Sequence, residues 1–333
     1  TVHGFPGYAA GEPVPTLQQV LEGAFPANTD AVVVDIQPGT QMRYSGGGTT
    51  LAQLTLQDVA NEPLPTMSQR LLFKPLGMTR SGFEQPISTN LSNNMATPYD
   101  GDGAPIKGGA HTYATLAAAG MWSTPSDMLK LASGVRSAYL GLKTDWISQA
   151  TAQEMLTNNT PSIEPPNVGI GFFINMDDNG KILGFGHGGA DVGFMSQLYL
   201  ELDTGNGYAI MTNGNNGRQL ITELEIRLKE TLNVGYSEAE IRKLVPISQK
   251  ELSKYIGTYV VTNPVNVDVV LEKTANGFVL NALPYIENEE YFHEGGGRFF
   301  AKNGSSVRFE MDDESGLVKT LVMDGNVRGA RKK

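Results

Sequence analysis

Near Pro246 the sequence changes period, and this change restricts the fold more than any other feature. Downstream, the stretches 255–261, 267–273, 277–280, 298–301, 307–311 and 318–323 are short runs rich in β-branched and aromatic residues. Turn sequences such as Ala275-Asn276-Gly277 and Asp324-Gly325-Asn326 separate them. Runs this short hide an apolar face only by pairing with neighbours, so 246–333 reads as a separate antiparallel β-barrel or sandwich. A chain of 333 residues is long enough for two such cores. Without cysteine it has no disulfide framework, no thiolate nucleophile and no thiolate metal site.

Residues 1–240 carry mixed signals that predict a sandwich of antiparallel sheet and helices, of α/β or α+β class. A short helix is expected near 17–21. A longer one follows Gly46-Gly47-Gly48, where Ala52, Leu56, Val59 and Ala60 fall at i, i+4, i+7 and i+8 and predict a buried stripe. The capping box Thr66-x-x-Gln69 opens another helix that stops before Pro75 and Gly77. Thr124, Pro125 and Asp127 form a third helix start, with Met128, Leu131, Ala132 and Val135 as its core stripe. Four strands are expected at 168–176, 182–187, 194–202 and 207–212, the first pair joined by a turn at Asp177-Asp178-Asn179-Gly180. A closing helix at 218–231 presents Ile221, Leu224 and Leu228 on one face.

Charge narrows the function classes. Asp and Glu number 35 against 25 Lys and Arg, a net charge of −10 that repels phosphate backbones. The basic tail Arg328, Arg331, Lys332 and Lys333 reads as a frayed, solvated terminus. No apolar run is long enough for a membrane span. Asp100-Gly-Asp102-Gly opens like a calcium loop, but its twelfth position is His111 in place of a bidentate Glu. Four histidines without a His-Glu-x-x-His pattern argue against a metal site, even one built on His187 and Asp191. No phosphate loop or dinucleotide fingerprint is present, so no cofactor is expected. His111 and His293 read as surface residues, and Trp122 as packing near a pocket.

Two constellations can carry chemistry. Tyr44-Ser45-Gly46 stands between a loop and a helix, and a tyrosine serves as general base if nearby positive charge lowers its pKa. Taken alone, a tyrosine before a glycine run reads as a packing residue. The second is Gly184-Phe-Gly-His187-Gly188-Gly189-Ala190-Asp191-Val-Gly193-Phe194, a strand with almost no side chains past its histidine. Bare backbone lets a substrate lie against the strand and leaves amides to receive an oxyanion. The bland alternative is a glycine-rich turn with a solvent-facing histidine.

Taken together these motifs resemble the superfamily of class C β-lactamases and penicillin-binding proteins, particularly its esterase-like and peptidase-like serine hydrolases. Tyr44-Ser45-Gly46 resembles the family's Tyr-x-Asn motif, and His187-Gly188-Gly189 its Lys/His-Thr/Ser/Gly-Gly strand. Lys74-Pro75-Leu76-Gly77-Met78 is similar to a helix-ending turn of the family. Ala117-Ala118-Ala119-Gly120-Met121-Trp122-Ser123-Thr124-Pro125-Ser126-Asp127 is similar to its small-residue segment before a helix. The resemblance covers about residues 1–235 and implies a β-lactamase-like sandwich, incomplete at its N-terminus, followed by a small β-barrel. It implies Tyr44 as general base, His187 as its assistant and the Ala190 amide as an oxyanion donor. Ser45, Gly46, Gly188, Gly189 and Phe194 would then line the substrate.

Three departures qualify the resemblance. The family nucleophile sits in a Ser-x-x-Lys motif upstream of the tyrosine, and no serine here has lysine three positions later. Ser126 with Lys130 and Ser315 with Lys319 are spaced by four and follow Tyr44. The opening Thr1-Val2-His3-Gly4 resembles sequence just past the nucleophile helix and reads as an internal start. Gly46 replaces the motif's asparagine, and His187 replaces a lysine. An ordinary imidazole, with a pKa of about 6.5, is largely neutral at pH 7 and a weaker carboxylate anchor. The expected activity is acyl transfer on esters or D-residue peptides, more than on β-lactams. The expected partners are a small ester, peptide or β-lactam-like ligand and a separate N-terminal fragment carrying Ser-x-x-Lys. The alternative is a non-catalytic module that uses the residual cleft. Family habit points to a periplasmic or secreted protein.

Overall fold

The computed structural model describes residues 4–40, 42–87, 92–142, 144–159, 167–177, 179–232, 234, 242–262, 267–282, 286–302, 304–312, 316–324 and 327–332. The opening Thr1-Val2-His3, Asp178 of the expected hairpin turn, Gly325-Asn326 and Lys333 lie outside the described residues. The chain divides into two compact units, Thr1–Tyr236 and Ser237–Lys333.

In the first unit α1 (Leu17–Glu22) starts at a capping box in which Thr16 and Gln19 satisfy each other's backbone amides. Helix α2 (Gly46–Ala60) is where expected but turned the other way. Its buried face is Gly46, Thr50 and Gln53, while Leu56 and Val59 are 52% and 83% exposed. A polar bond to another segment fixes that orientation: Gln53 Oε1 accepts the Ala117 amide at 2.9 Å, while the buried Thr50 hydroxyl is satisfied within the helix by donating to Gly46 O at 2.9 Å. Helix α3 (Leu64–Ser68) begins earlier than the Thr66 box implies. Pro63 is its N-cap and its ring offers no acceptor, while Pro65 in the first turn removes one of the amides that a cap would satisfy. A turn of π-helix (Gln69–Phe73) carries it to Lys74-Pro75.

The short α4 (Leu116–Ala119) precedes α5 (Pro125–Tyr139), whose N-cap Thr124 accepts the Asp127 amide as expected. The Asp127 carboxylate reaches outward instead, accepting Arg80 N at 2.8 Å and Ser81 Oγ at 2.9 Å. After α6 (Gln149–Met155) come β1 (Phe173–Met176), β2 (Ile182–Asp191), β3 (Phe194–Glu201) and β4 (Gly207–Thr212), an antiparallel sheet in sequence order. β1 is shorter than expected, since Gly171 at φ +79° bends the chain before it. β2 is longer, because its glycines stay in the ladder as far as Asp191↔Phe194.

One face of this sheet packs Phe185, Leu198 and Leu200 against Ala132 and Val135 of α5. The other face packs Tyr199 and Tyr208 with Val234 and with Leu228 of α7 (Gly217–Leu232). Of the stripe expected on α7, Ile221 is buried and Leu224 is exposed.

The second unit opens with α8 (Gln249–Leu252) and then closes into a barrel. Its strands are β5 (Gly257–Val261), β6 (Val267–Lys273), β7 (Gly277–Ala282), β8 (Ile286–Gly295), β9 (Arg298–Ala301), β10 (Ser306–Met311), β11 (Val318–Met323) and β12 (Val327–Arg331). All neighbouring pairs are antiparallel, and β12 closes the ring by pairing with both β11 and β5. The basic tail is therefore no frayed end. Arg331 donates to Lys254 O and Ile256 O at 2.7 and 2.8 Å, and Arg328 pairs with Glu310. The interior is filled by Tyr259, Phe278, Tyr291 and Phe299. His293, expected at the surface, is buried among them with Nδ1 2.9 Å from Val245 O. Among the described residues no helix is long and apolar enough to cross a membrane.

Candidate active site

Tyr44 is held at the entrance to α2 by the residue after it. Ser45 is the N-cap, in extended backbone, and its Oγ accepts the Gly48 amide at 2.8 Å. That hydroxyl is committed to the helix, which weakens its expected place beside a substrate. Gly46 and Gly47 are buried in the first turn. The Tyr44 ring stands 6.0 Å from the His187 ring and lies nearly parallel to Phe173 at 6.4 Å. Phe173 and His187 are 5.4 Å apart, so three rings, from the segment just before α2, from β1 and from β2, form one cluster. Tyr44 and Phe173 remain 40% and 41% exposed. Burial pushes the Tyr44 phenol above its ordinary pKa, opposite to what a general base needs.

His187 Nδ1 lies 2.5 Å from Gly188 O. A carbonyl only accepts, so Nδ1 carries a proton and donates it to Gly188 O.

The ladder phase decides where the β2 amides point. Leu202 N donates to Leu183 O at 2.8 Å, and Gly184 pairs with Glu201. In an antiparallel pair, bonded residues then alternate from Phe185 through His187 and Gly189 to Asp191. Gly188 and Ala190 turn their amides the other way, toward the β1 side. β1 ends its pairing at Gly186, so among the described residues no strand covers that edge beside 187–191. Ala190 is also exposed. Its amide and the Tyr44 ring thus belong to one end of β2.

The glycines are needed for close approach. A Cβ on Gly186 would sit 2.2 Å from Leu198 O, and one on Gly189 2.4 Å from Ser196 Oγ. At the turn beyond, Gly193 has φ +81° and donates to Asn215 Oδ1 at 2.6 Å. Phe194 packs edge-on against Trp122 at 5.7 Å. Asp191 hydrogen-bonds to the Tyr113 hydroxyl, which also accepts the Val192 amide at 3.3 Å. Burial pushes the Asp191 carboxyl up to about 7, against the lowering effect of Tyr113. Burial, and then the Asp191 charge, also raise the Tyr113 phenol.

Sequence reasoning therefore placed Tyr44, His187, Gly188, Gly189 and Ala190 in one neighbourhood, with Phe194 at its far end. It missed Phe173 and Tyr113, lone aromatics with no local signature that the fold alone brings in. His111, expected at the surface, is half-buried with Nδ1 2.9 Å from Pro6 O. An open depression of about 560 Å³ lies elsewhere, lined by Tyr99, Thr212, Asn213, Asn216 and Glu223 among others, and includes neither Tyr44 nor His187.

The family model described as Beta-lactamase matches residues 3–231. No curated protein matches the chain. Among solved structures, SurE is similar over 99% of this chain and 77% of its own, with 20% identity and a TM-score of 0.54. The octameric penicillin-binding protein homologue from Pyrococcus abyssi is similar over 99% and 80%, with 17% identity and a TM-score of 0.53. D-amino acid amidase from Ochrobactrum anthropi SV3, solved with D-phenylalanine, is similar over 70% of each chain, with 21% identity and a TM-score of 0.51. At these identities the likeness is one of fold.

Proposed function

The chain belongs to the β-lactamase family of serine hydrolases, and on that premise we propose that it supplies the base and oxyanion strand of an acyl-transfer site whose serine lies outside this sequence. The observation that carries the reading is the 6.0 Å approach of Tyr44 to His187, on the strand that turns the Ala190 amide to an open edge.

In this reading a Ser-x-x-Lys segment, upstream or on a separate polypeptide, docks its serine between phenol and strand. The serine Oγ bonds to the substrate carbonyl carbon while its proton passes to Tyr44. The carbonyl oxygen gains the electron pair and is held by the Ala190 amide and the serine's own amide. Collapse breaks the bond to the leaving group, which takes the proton from Tyr44. Water then releases the acyl group by the same steps. Tyr44 needs a neighbouring ammonium, because burial alone holds its proton in place. The motif lysine would provide that charge. His187, its ring held through Nδ1 by Gly188 O, orients the phenol or the substrate.

Gly46 and His187 in place of amide and ammonium side chains favour esters or D-residue amides and peptides over penicillins. The D-Leu bound by SurE and the D-phenylalanine bound by the amidase support the D-residue side. The reading also places the protein in the periplasm or outside the cell.

The upward shift of Tyr44 favours a second reading for the chain by itself, a binding module that holds such ligands without turnover. Labelling of the protein, with any polypeptide that co-purifies, by a fluorophosphonate and a fluorescent penicillin separates the two. The first reading expects label on a polypeptide bearing Ser-x-x-Lys and its loss in Tyr44→Phe. No label on any polypeptide leaves only the binding module, and label that persists in Tyr44→Phe removes the tyrosine from the mechanism.

A further inference from the structure

Asp191 is a half-buried acid that this mechanism leaves without a task. It closes β2 directly after Ala190, and its side chain shares a strand face with His187 and Gly189. Phe194 stands opposite it across the hairpin, backed by Trp122. Its hydrogen-bond partner is the Tyr113 hydroxyl, from a residue 4% exposed.

No cation balances this carboxyl among the described residues. Burial and Tyr113 are the influences that act on it, and no ion pair includes it. Tyr113 is the titratable side chain packed against it. Arg218 of α7 reaches the other face of the sheet, where Nη1 donates to Gln197 Oε1 at 3.2 Å beside Gly188. His187 lies four residues back along the strand, about 13 Å at the usual rise. A half-buried carboxylate with aromatic neighbours and no counter-charge is partly desolvated yet still reachable, which favours a cationic ligand, and aromatic faces add to that attraction.

Distance along the strand identifies the cation. An acyl oxygen at the Ala190 amide leaves the substrate's α-nitrogen only three bonds away, and neighbouring strand residues are about 3.4 Å apart. Resting on the acyl-transfer reading above, we propose that Asp191 anchors the free α-ammonium group of the substrate, so that the site takes amides, esters or peptides with a free amino end in preference to N-acylated ones.

The test is calorimetric binding of D-phenylalanine amide and N-acetyl-D-phenylalanine amide to the full chain and to Asp191→Asn, which can keep its bond to Tyr113. The expected result is a preference of about tenfold or more for the free amine, as a charge-assisted hydrogen bond gives. It strengthens between about pH 5.5 and pH 7 as the carboxyl ionises, and it disappears in Asp191→Asn while the acetylated ligand binds as before. Equal binding of both ligands to the unaltered protein overturns the ammonium anchor and leaves the acyl-transfer cleft standing. Binding of neither ligand overturns the cleft reading and the anchor with it. The ligand comparison on the unaltered chain stands even if Asp191→Asn fails to fold.

Discussion

The two units solve the problem of a β-sheet's edges in opposite ways. The barrel of β5–β12 closes on itself: β12 pairs with β5, and aromatic side chains fill the interior from every side. The sheet of β1–β4 stays open, and the helices around it leave large apolar residues in water. Val34 is 80% exposed, and the apolar stripe of α2 faces out. Apolar side chains left in water along one face of a helix, as Leu56 and Val59 are on α2, offer surface for another segment to cover. The comparison teaches that the barrel pairs its strand edges within itself, while the unit with an uncovered edge is the one that holds the candidate site. The proposed Ser-x-x-Lys segment is our candidate for what covers it.

The comparison can be broken or sharpened by mutation. The largest effect is expected in the barrel, where Phe278→Ala empties a fully buried site and should cost about 3–5 kcal/mol in denaturant unfolding. A loss under about 1 kcal/mol would mean that the barrel is not tightly packed.

Next comes the pH response of the first unit. The Asp191 carboxyl is raised to about 7 in the fold, against about 3.9 in an unfolded chain. A raised pKa stabilises the fold fully below the unfolded value, and that stability is lost as pH rises through the folded value. Between about pH 4 and pH 7 the unit should lose up to about 4 kcal/mol on this account. Asp191→Asn should flatten the slope in urea titrations at stepped pH.

Arg331→Ala should cost about 1–2 kcal/mol by removing two hydrogen bonds to the Lys254 and Ile256 carbonyls. A neutral result would return the C-terminal stretch to the frayed end that its charge suggests. The smallest effect is expected at Val59→Ser on the exposed stripe of α2, within about 0.5 kcal/mol. A large loss there would show that the stripe is covered in the isolated protein.

The same contrast explains what the sequence could reveal. α5 was legible because Thr124, Pro125 and Asp127 act within one turn. The barrel was legible as a class, yet β8 and β12 were not. Glu287, Glu289 and Glu290 mask the inward Tyr291, and the arginines of β12 read as a tail. The α2 stripe misled because hydrophobic periodicity reports which face could be buried, while the bond from Ala117 N to Gln53 fixes the face that is. At the site, Tyr44 and the strand from His187 carry local signatures. Phe173, Tyr113 and the phase of β2 arise only from long-range pairing, which no local pattern encodes.

The account depends most on the phenol of Tyr44 and the imidazole of His187 sharing one cluster. NMR of the full chain carrying ¹³Cζ-tyrosine tests this directly. The Tyr44 resonance should move in His187→Gln, whose side chain no longer presents a ring to it, and should show a phenol ionisation above the ordinary value that falls in Phe173→Ala. A Tyr44 resonance indifferent to both substitutions would contradict the account.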